Sequence, residues 1–165
     1  MKKDKLDELR VKLADYGPIY RRIKFLPTTG NIDLIILKGH LLLEEMLLLL
    51  VAKNVEYPSA IEEINNLGFS TLLKFAKALK YSSNDFDWVW EAIENFNSIR
   101  NTLAHKLEAE GLHQKIDDLL TLIDSNFWGY TVKMHDAGGG DKSDLPTRLS
   151  QAIDLLCDIV QLLSQ

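Results

Sequence analysis

An all-α helical bundle is the fold class this sequence predicts, and three observations predict it. Apolar residues recur every three to four positions in almost every segment, strict strand-like alternation is nearly absent, and proline and glycine fall where the helical period breaks. The chain has 165 residues, enough for one domain with a core of its own. No internal repeat of fixed period is present.

The first predicted helix covers residues 3 to 15, with Leu6, Leu9, Val11 and Leu13 on its apolar side, and Gly17-Pro18 ends it. A short helical piece resumes over residues 20 to 25. Pro27-Thr28-Thr29-Gly30-Asn31 is then a loop of chain-bending residues. The central helix runs from about residue 32 to 53. It is the most hydrophobic stretch, but Asp33, Lys38, His40, Glu44 and Glu45 interrupt it and its longest unbroken apolar run is only seven residues, 46 to 52. A membrane span needs about 20, so this helix is expected at the centre of a soluble bundle.

Pro58 suits the first turn of a short helix reaching residue 67, which Gly68 is expected to close. Ser70 offers a cap for a helix to residue 80, where Lys74, Lys77 and Lys80 complement the carboxyl end of the dipole. Ser82-Ser83-Asn84 opens a long helix with Asp85, Asp87 and Glu91 in its first turns, continuing to about residue 106. A further helix spans 112 to 126. Residues 128 to 144, with Gly138-Gly139-Gly140, form the expected mobile loop before a last helix over 145 to 163 that aligns Ile153, Leu156, Ile159, Val160 and Leu163. The connections are short, so neighbouring helices are expected to be mostly antiparallel.

Composition narrows the function classes. Apolar residues make up 46% and charged residues 26%, which excludes disorder over most of the length. The net charge of −5 argues against a general nucleic-acid coat protein, although residues 1 to 24 carry eight Lys or Arg against four acids. A single cysteine, Cys157, removes intramolecular disulfides and thiol-rich metal sites and favours a reducing cytoplasm. The first residues lack the apolar core of a secretory signal.

One segment rises above the helical background: Ser98-Ile99-Arg100-Asn101-Thr102-Leu103-Ala104-His105. Its Arg and His lie five positions apart at the end of a long helix. A guanidinium grips phosphate through a bidentate fork, and an imidazole exchanges protons near neutral pH. RNA cleavage by its own 2′-hydroxyl needs no metal where such groups are correctly placed.

With Arg100-Asn101 and His105 at a helix end, preceded by the central segment Gly39-His40-Leu41-Leu42-Leu43-Glu44-Glu45-Met46-Leu47, the chain resembles the HEPN superfamily of helical higher-eukaryote and prokaryote nucleotide-binding domains. The segment from Gly68 to Lys74 also looks like the mannitol-repressor-like and related branches of that superfamily. The resemblance covers residues 31 to 107. It implies an HEPN-like core over 31–107, an N-terminal helical arm over 1–26 and added C-terminal helices over 108–165. In many members it implies a homodimeric ribonuclease of the toxin or phage-defence kind that uses neither metal nor cofactor and places Arg and His from two copies in one cleft. Carried onto this chain, His105 is the general acid or base, Arg100 neutralises the scissile phosphate and Asn101 positions one of them. The toxin branch carries a tyrosine two residues after its histidine, where this chain has Leu107, so nucleotidylation control and an antitoxin partner do not follow. The mannitol-repressor-like branch implies a regulatory or protein-interaction module instead.

Helix geometry sets a condition on the catalytic reading. At about 100° per residue, Asn101 and His105 share a face, whereas Arg100 and His105 are about 140° apart. Arg100 falls on the side of Val89, Ile93, Phe96 and Leu103, so convergence requires a second copy of the chain or an unwound helix end. A charge on an apolar side needs a partner. Glu44, in a stripe with Asp33 and His40, is the best candidate, and the stripe reads either as the wall of a polar cleft or as a solvated edge. His105 in turn reads either as a catalytic group or as a helix-end histidine favoured by the dipole.

The remaining candidates are weaker. His113, His135 and Cys157 have no metal-ligand spacing. Gly138-Gly139-Gly140 lacks the lysine and hydroxyl residue of a phosphate loop. Trp88, Trp90 and Trp128 read as core or interface, and Cys157 as a buried small hydrophobe.

Overall fold

A computed structural model of the chain describes residues 24–63, 67–80, 87–105, 111–127 and 144–164. The predicted helix over 3 to 15, most of the piece over 20 to 25, the helix opening at Ser82-Ser83-Asn84 and the loop over 128 to 143 lie outside these residues. The fold is all-α. Among the described residues there are six helices: α1 (Ile32–Asn54), α2 (Pro58–Glu63), α3 (Phe69–Lys80), α4 (Asp87–His105), α5 (Leu112–Asn126) and α6 (Leu145–Leu163). Among the described residues there is no strand.

The central helix α1 begins where Asn31 caps it, its Oδ1 accepting from the backbone N–H groups of Asp33 at 2.8 Å and Leu34 at 3.3 Å. Such a cap satisfies donors that the first turn leaves unpaired and contributes about 1 kcal/mol. Buried residues then occupy most of the circumference, from Ile35, Ile36 and Gly39 through Leu43, Leu47 and Leu50. A helix that is apolar nearly all round must be enclosed on several sides. Accordingly α1 packs most extensively on α6, and also on α3 and α4. Among the described residues, no helix is long and apolar enough to cross a membrane.

Gly39 sets how closely these helices meet. A methyl group at this position would lie 2.7 Å from Ile153 Cδ1, 3.0 Å from Ile153 Cγ2 and 3.2 Å from Phe96 Cζ. Side chains of α6 and α4 therefore both press onto the bare backbone of α1. Around this contact Ile36, Leu43, Ile93, Phe96, Ile153 and Leu156 are all fully buried. Cys157 is buried in the same core and Trp90 almost wholly so, as their apolar settings predict, and Trp88 packs against its edge.

The structure corrects the reading of Gly68. The glycine does not adopt the left-handed conformation of a helix-closing glycine. Its carbonyl instead accepts from the N–H groups of Thr71 at 2.9 Å and Leu72 at 3.1 Å, so it opens α3. Ser70 consequently lies inside the first turn of α3 and is not its cap. Gly30 and Gly111 are the described glycines with positive φ, at 94° in the loop ahead of α1 and at 78° where the chain turns into α5.

Ion pairs among the described residues include an exposed Lys77–Glu94 at 3.8 Å between α3 and α4 and a half-buried Arg148–Asp124 at 3.6 Å between α6 and α5. Exposed pairs such as the first contribute about 1 kcal/mol or less. Thr147, in the first turn of α6, donates to Asp144 and lies 2.9 Å from the carbonyl oxygen of Thr28, which ties α6 to the loop ahead of α1.

Replacing Gly39 with Ala gains about 1 kcal/mol of helix propensity but forces a steric cost of about 1–3 kcal/mol on Ile153 and Phe96. Gly39→Ala is therefore expected to lower unfolding stability by about 1 kcal/mol, and Gly39→Val by more, in urea titration. An alanine variant as stable as the wild type would contradict the close-contact account.

Candidate functional site on the seam between α1 and α4

His40 lies one residue beyond the Gly39 contact and is 7% exposed. Its Nε2 is 3.1 Å from Asn97 Oδ1 of α4, an acceptor that selects the ring form carrying hydrogen on Nε2. Phe69, the first residue of α3, covers the ring with centroids 4.2 Å apart and planes tilted by 30°. Burial pushes the His40 pKa below its ordinary value of 6.5, and the nearby Arg100 charge adds to the lowering. The Asn97 hydrogen bond and the Glu44 carboxylate act in the opposite direction. Glu44 is half-buried one turn further along α1. The stripe expected from Asp33, His40 and Glu44 thus runs from an exposed Asp33 to a buried His40.

Arg100 is half-buried, in keeping with its position on the side of Val89, Ile93 and Phe96, which are fully buried. Its guanidinium lies near enough to His40 for its charge to act on that ring. Nη1 donates to Asn101 Oδ1 at 3.2 Å, which brings the charge to the edge of the face that Asn101 shares with His105. Asn101 and His105 are both exposed, and His105 is the last described residue of α4. The structure therefore gathers His40, Glu44, Asn97 and Arg100 on one seam and links Arg100 to Asn101, with His105 one turn beyond.

On the far side of the same face, Lys115 of α5 donates to Ser98 Oγ at 2.9 Å and to Thr102 Oγ1 at 2.8 Å. Thr102 itself donates to the Ser98 carbonyl at 2.9 Å, leaving its lone pairs for the lysine. Asn97, Phe69 and Lys115 were not singled out from sequence. Asn97 had one available signal, a polar residue one turn before Arg100 and next to the fully buried Phe96. Phe69 and Lys115 had none, because their roles depend on which helices meet.

Among the described residues, no three His, Cys, Asp or Glu side chains gather closely enough to hold a metal ion. Of the predicted weaker candidates, His113 is exposed on α5, while His135 lies outside the described residues. No family model matches the chain, and comparison with curated proteins and with solved structures finds no match.

The lowered pKa of His40 has a defined sign. The unfolded chain binds a proton below about pH 6.5 that the folded chain resists, so this contribution to stability is fully present above that pH and is lost as the pH falls. Wild-type protein is expected to lose more urea stability between about pH 7.5 and pH 5 than His40→Gln, which retains a donor for Asn97. Parallel pH profiles for the two proteins would show that the buried ring is not held neutral.

Proposed function

We propose that this chain is a metal-independent endoribonuclease of the HEPN kind, cutting single-stranded RNA as a cytoplasmic homodimer in a toxin or phage-defence setting. The observation that carries the reading is the Arg100–Asn101 hydrogen bond. It ties a permanently charged guanidinium to Asn101, on the exposed face that carries His105, although Arg100 sits on the apolar side of α4. Asn101 is in this reading the positioning residue, and His40, Asn97 and Glu44 form the supporting seam behind Arg100.

The chemistry needs little more. An RNA 2′-oxygen attacks the adjacent phosphorus as its proton passes to a base, and the 5′-oxygen departs with a proton from an acid. The products are a 2′,3′-cyclic phosphate and a 5′-hydroxyl. His105 serves one of these proton transfers, and Arg100 neutralises the charge that accumulates on the phosphoryl oxygens. A second copy of the chain supplies the other imidazole. The wheel separation of about 140° between Arg100 and His105 favours such a shared cleft.

A second reading has its own support. Leu34, Leu37 and Leu41 are 43%, 43% and 60% exposed and form one stripe of α1. Apolar stripes of this kind suit a protein partner, which favours a non-catalytic regulatory or interaction module resembling the mannitol-repressor-like branch.

Purified protein is expected to cleave single-stranded RNA in EDTA, with a rate reduced about 10²–10⁴-fold in His105→Ala and about 10²–10³-fold in Arg100→Ala. Light scattering at micromolar concentration is expected to give a dimer. Undiminished cleavage by folded His105→Ala would falsify the catalytic assignment. Absence of cleavage in the wild type, with recovery of a defined protein partner, would establish the second reading in its place.

A further inference from the structure

Ser98, Asn101, Thr102 and His105 lie on one side of α4. At about 100° per residue, Ser98 and His105 are within about 20° of each other, with Asn101 on one flank and Thr102 on the other. The Asn101 flank already carries a cation, the Arg100 guanidinium. The Thr102 flank carries another, the Lys115 ammonium, which α5 delivers across the helix pair.

Lys115 is held differently from an ordinary surface lysine. Its stem is half-buried, and two of its three N–H groups donate to hydroxyl oxygens at 2.9 and 2.8 Å. Hydroxyls orient an ammonium without neutralising it. Among the described residues, no carboxylate pairs with Lys115. Asp118, three residues along the same helix, accepts instead from Gln114 Nε2 at 2.9 Å. The result is an oriented positive charge with one N–H to spare, beside an exposed Ser98 hydroxyl. Thr102 precedes His105 by three residues, about 4.5 Å along the helix axis.

We propose that Lys115, held by Ser98 and Thr102, is a second phosphate-binding site for the backbone of single-stranded RNA, on the opposite flank of the Asn101–His105 face from Arg100. This inference rests on the ribonuclease reading and adds to it a binding direction. One backbone phosphate engages Arg100 while a neighbouring phosphate engages Lys115, so the strand crosses α4 rather than running along it. Phosphate contacts of this kind fix register without reading base identity, and each contributes to the salt dependence of binding.

The test measures binding of a fluorescently labelled single-stranded 2′-O-methyl oligouridylate, which lacks the attacking hydroxyl and so is not cut, to the full chain across a range of KCl, for wild type, Lys115→Met, Lys115→Arg and Arg100→Ala. Methionine preserves the packed stem and removes only the charge. Lys115→Met is expected to weaken binding about threefold to tenfold and to lower the log–log salt slope by about one, with Lys115→Arg close to wild type. A purely structural tether would lower thermal stability in Lys115→Met yet leave the salt slope unchanged. Wild-type affinity and slope in Lys115→Met, alongside weakened binding by Arg100→Ala, would overturn the Lys115 site and leave the ribonuclease reading standing. Failure of the wild type to bind the oligonucleotide at low salt would overturn both.

Discussion

The absence of a side chain at Gly39 is the constraint on which the arrangement depends. Packing interiors fill space to near crystalline density, so a bare backbone becomes a place where neighbouring helices draw in. Ile153 and Phe96 occupy the room that a methyl group would take. Because Phe96 belongs to α4 and Gly39 precedes His40, the same approach places the imidazole against Asn97, the residue after Phe96. A purely apolar contact thereby determines the polar one beside it.

The polar seam shows how a charge can sit at the margin of a core without a buried ion pair. Taking Arg100 fully inside would require an excellent carboxylate partner to offset desolvation. The protein instead keeps its stem along the apolar side and its guanidinium at Asn101, half in water. The Glu44 carboxylate and the Arg100 charge act in opposite senses on the His40 ring between them. Asparagine suits the bridging positions because it accepts a hydrogen bond without adding a charge of its own.

Much of the helical order was legible because long periodic segments with clear boundaries leave few alternatives. The loop ending at Asn31 and the apolar run after it locate α1, and the spans expected for α5 and α6 coincide with those observed. Gly68 was misread because a glycine between two short helices can end one or begin the next, and only its backbone conformation and hydrogen bonds decide. Arg100 shows a different limit. Its helical position was legible, but a long flexible stem lets the charged end reach Asn101, beyond the side on which its Cα lies. The burial of His40 depends on Phe69, and the orientation of Lys115 depends on residues 13 and 17 positions earlier, relations that helical period alone does not encode.

The broadest contact of α1 is with α6, more than ninety residues later in the chain, and Thr147 reaches back to Thr28 across a separation of 119. Helical proteins usually fold quickly because their contacts are local; this pairing instead requires closure of a long loop before its burial is rewarded. During synthesis from the N-terminus, the leucine-rich central helix emerges well before the helix that covers it. Ile35, Leu43 and their neighbours are therefore without their final cover until α6 has been made, and the nascent chain in that interval is a natural client for chaperones.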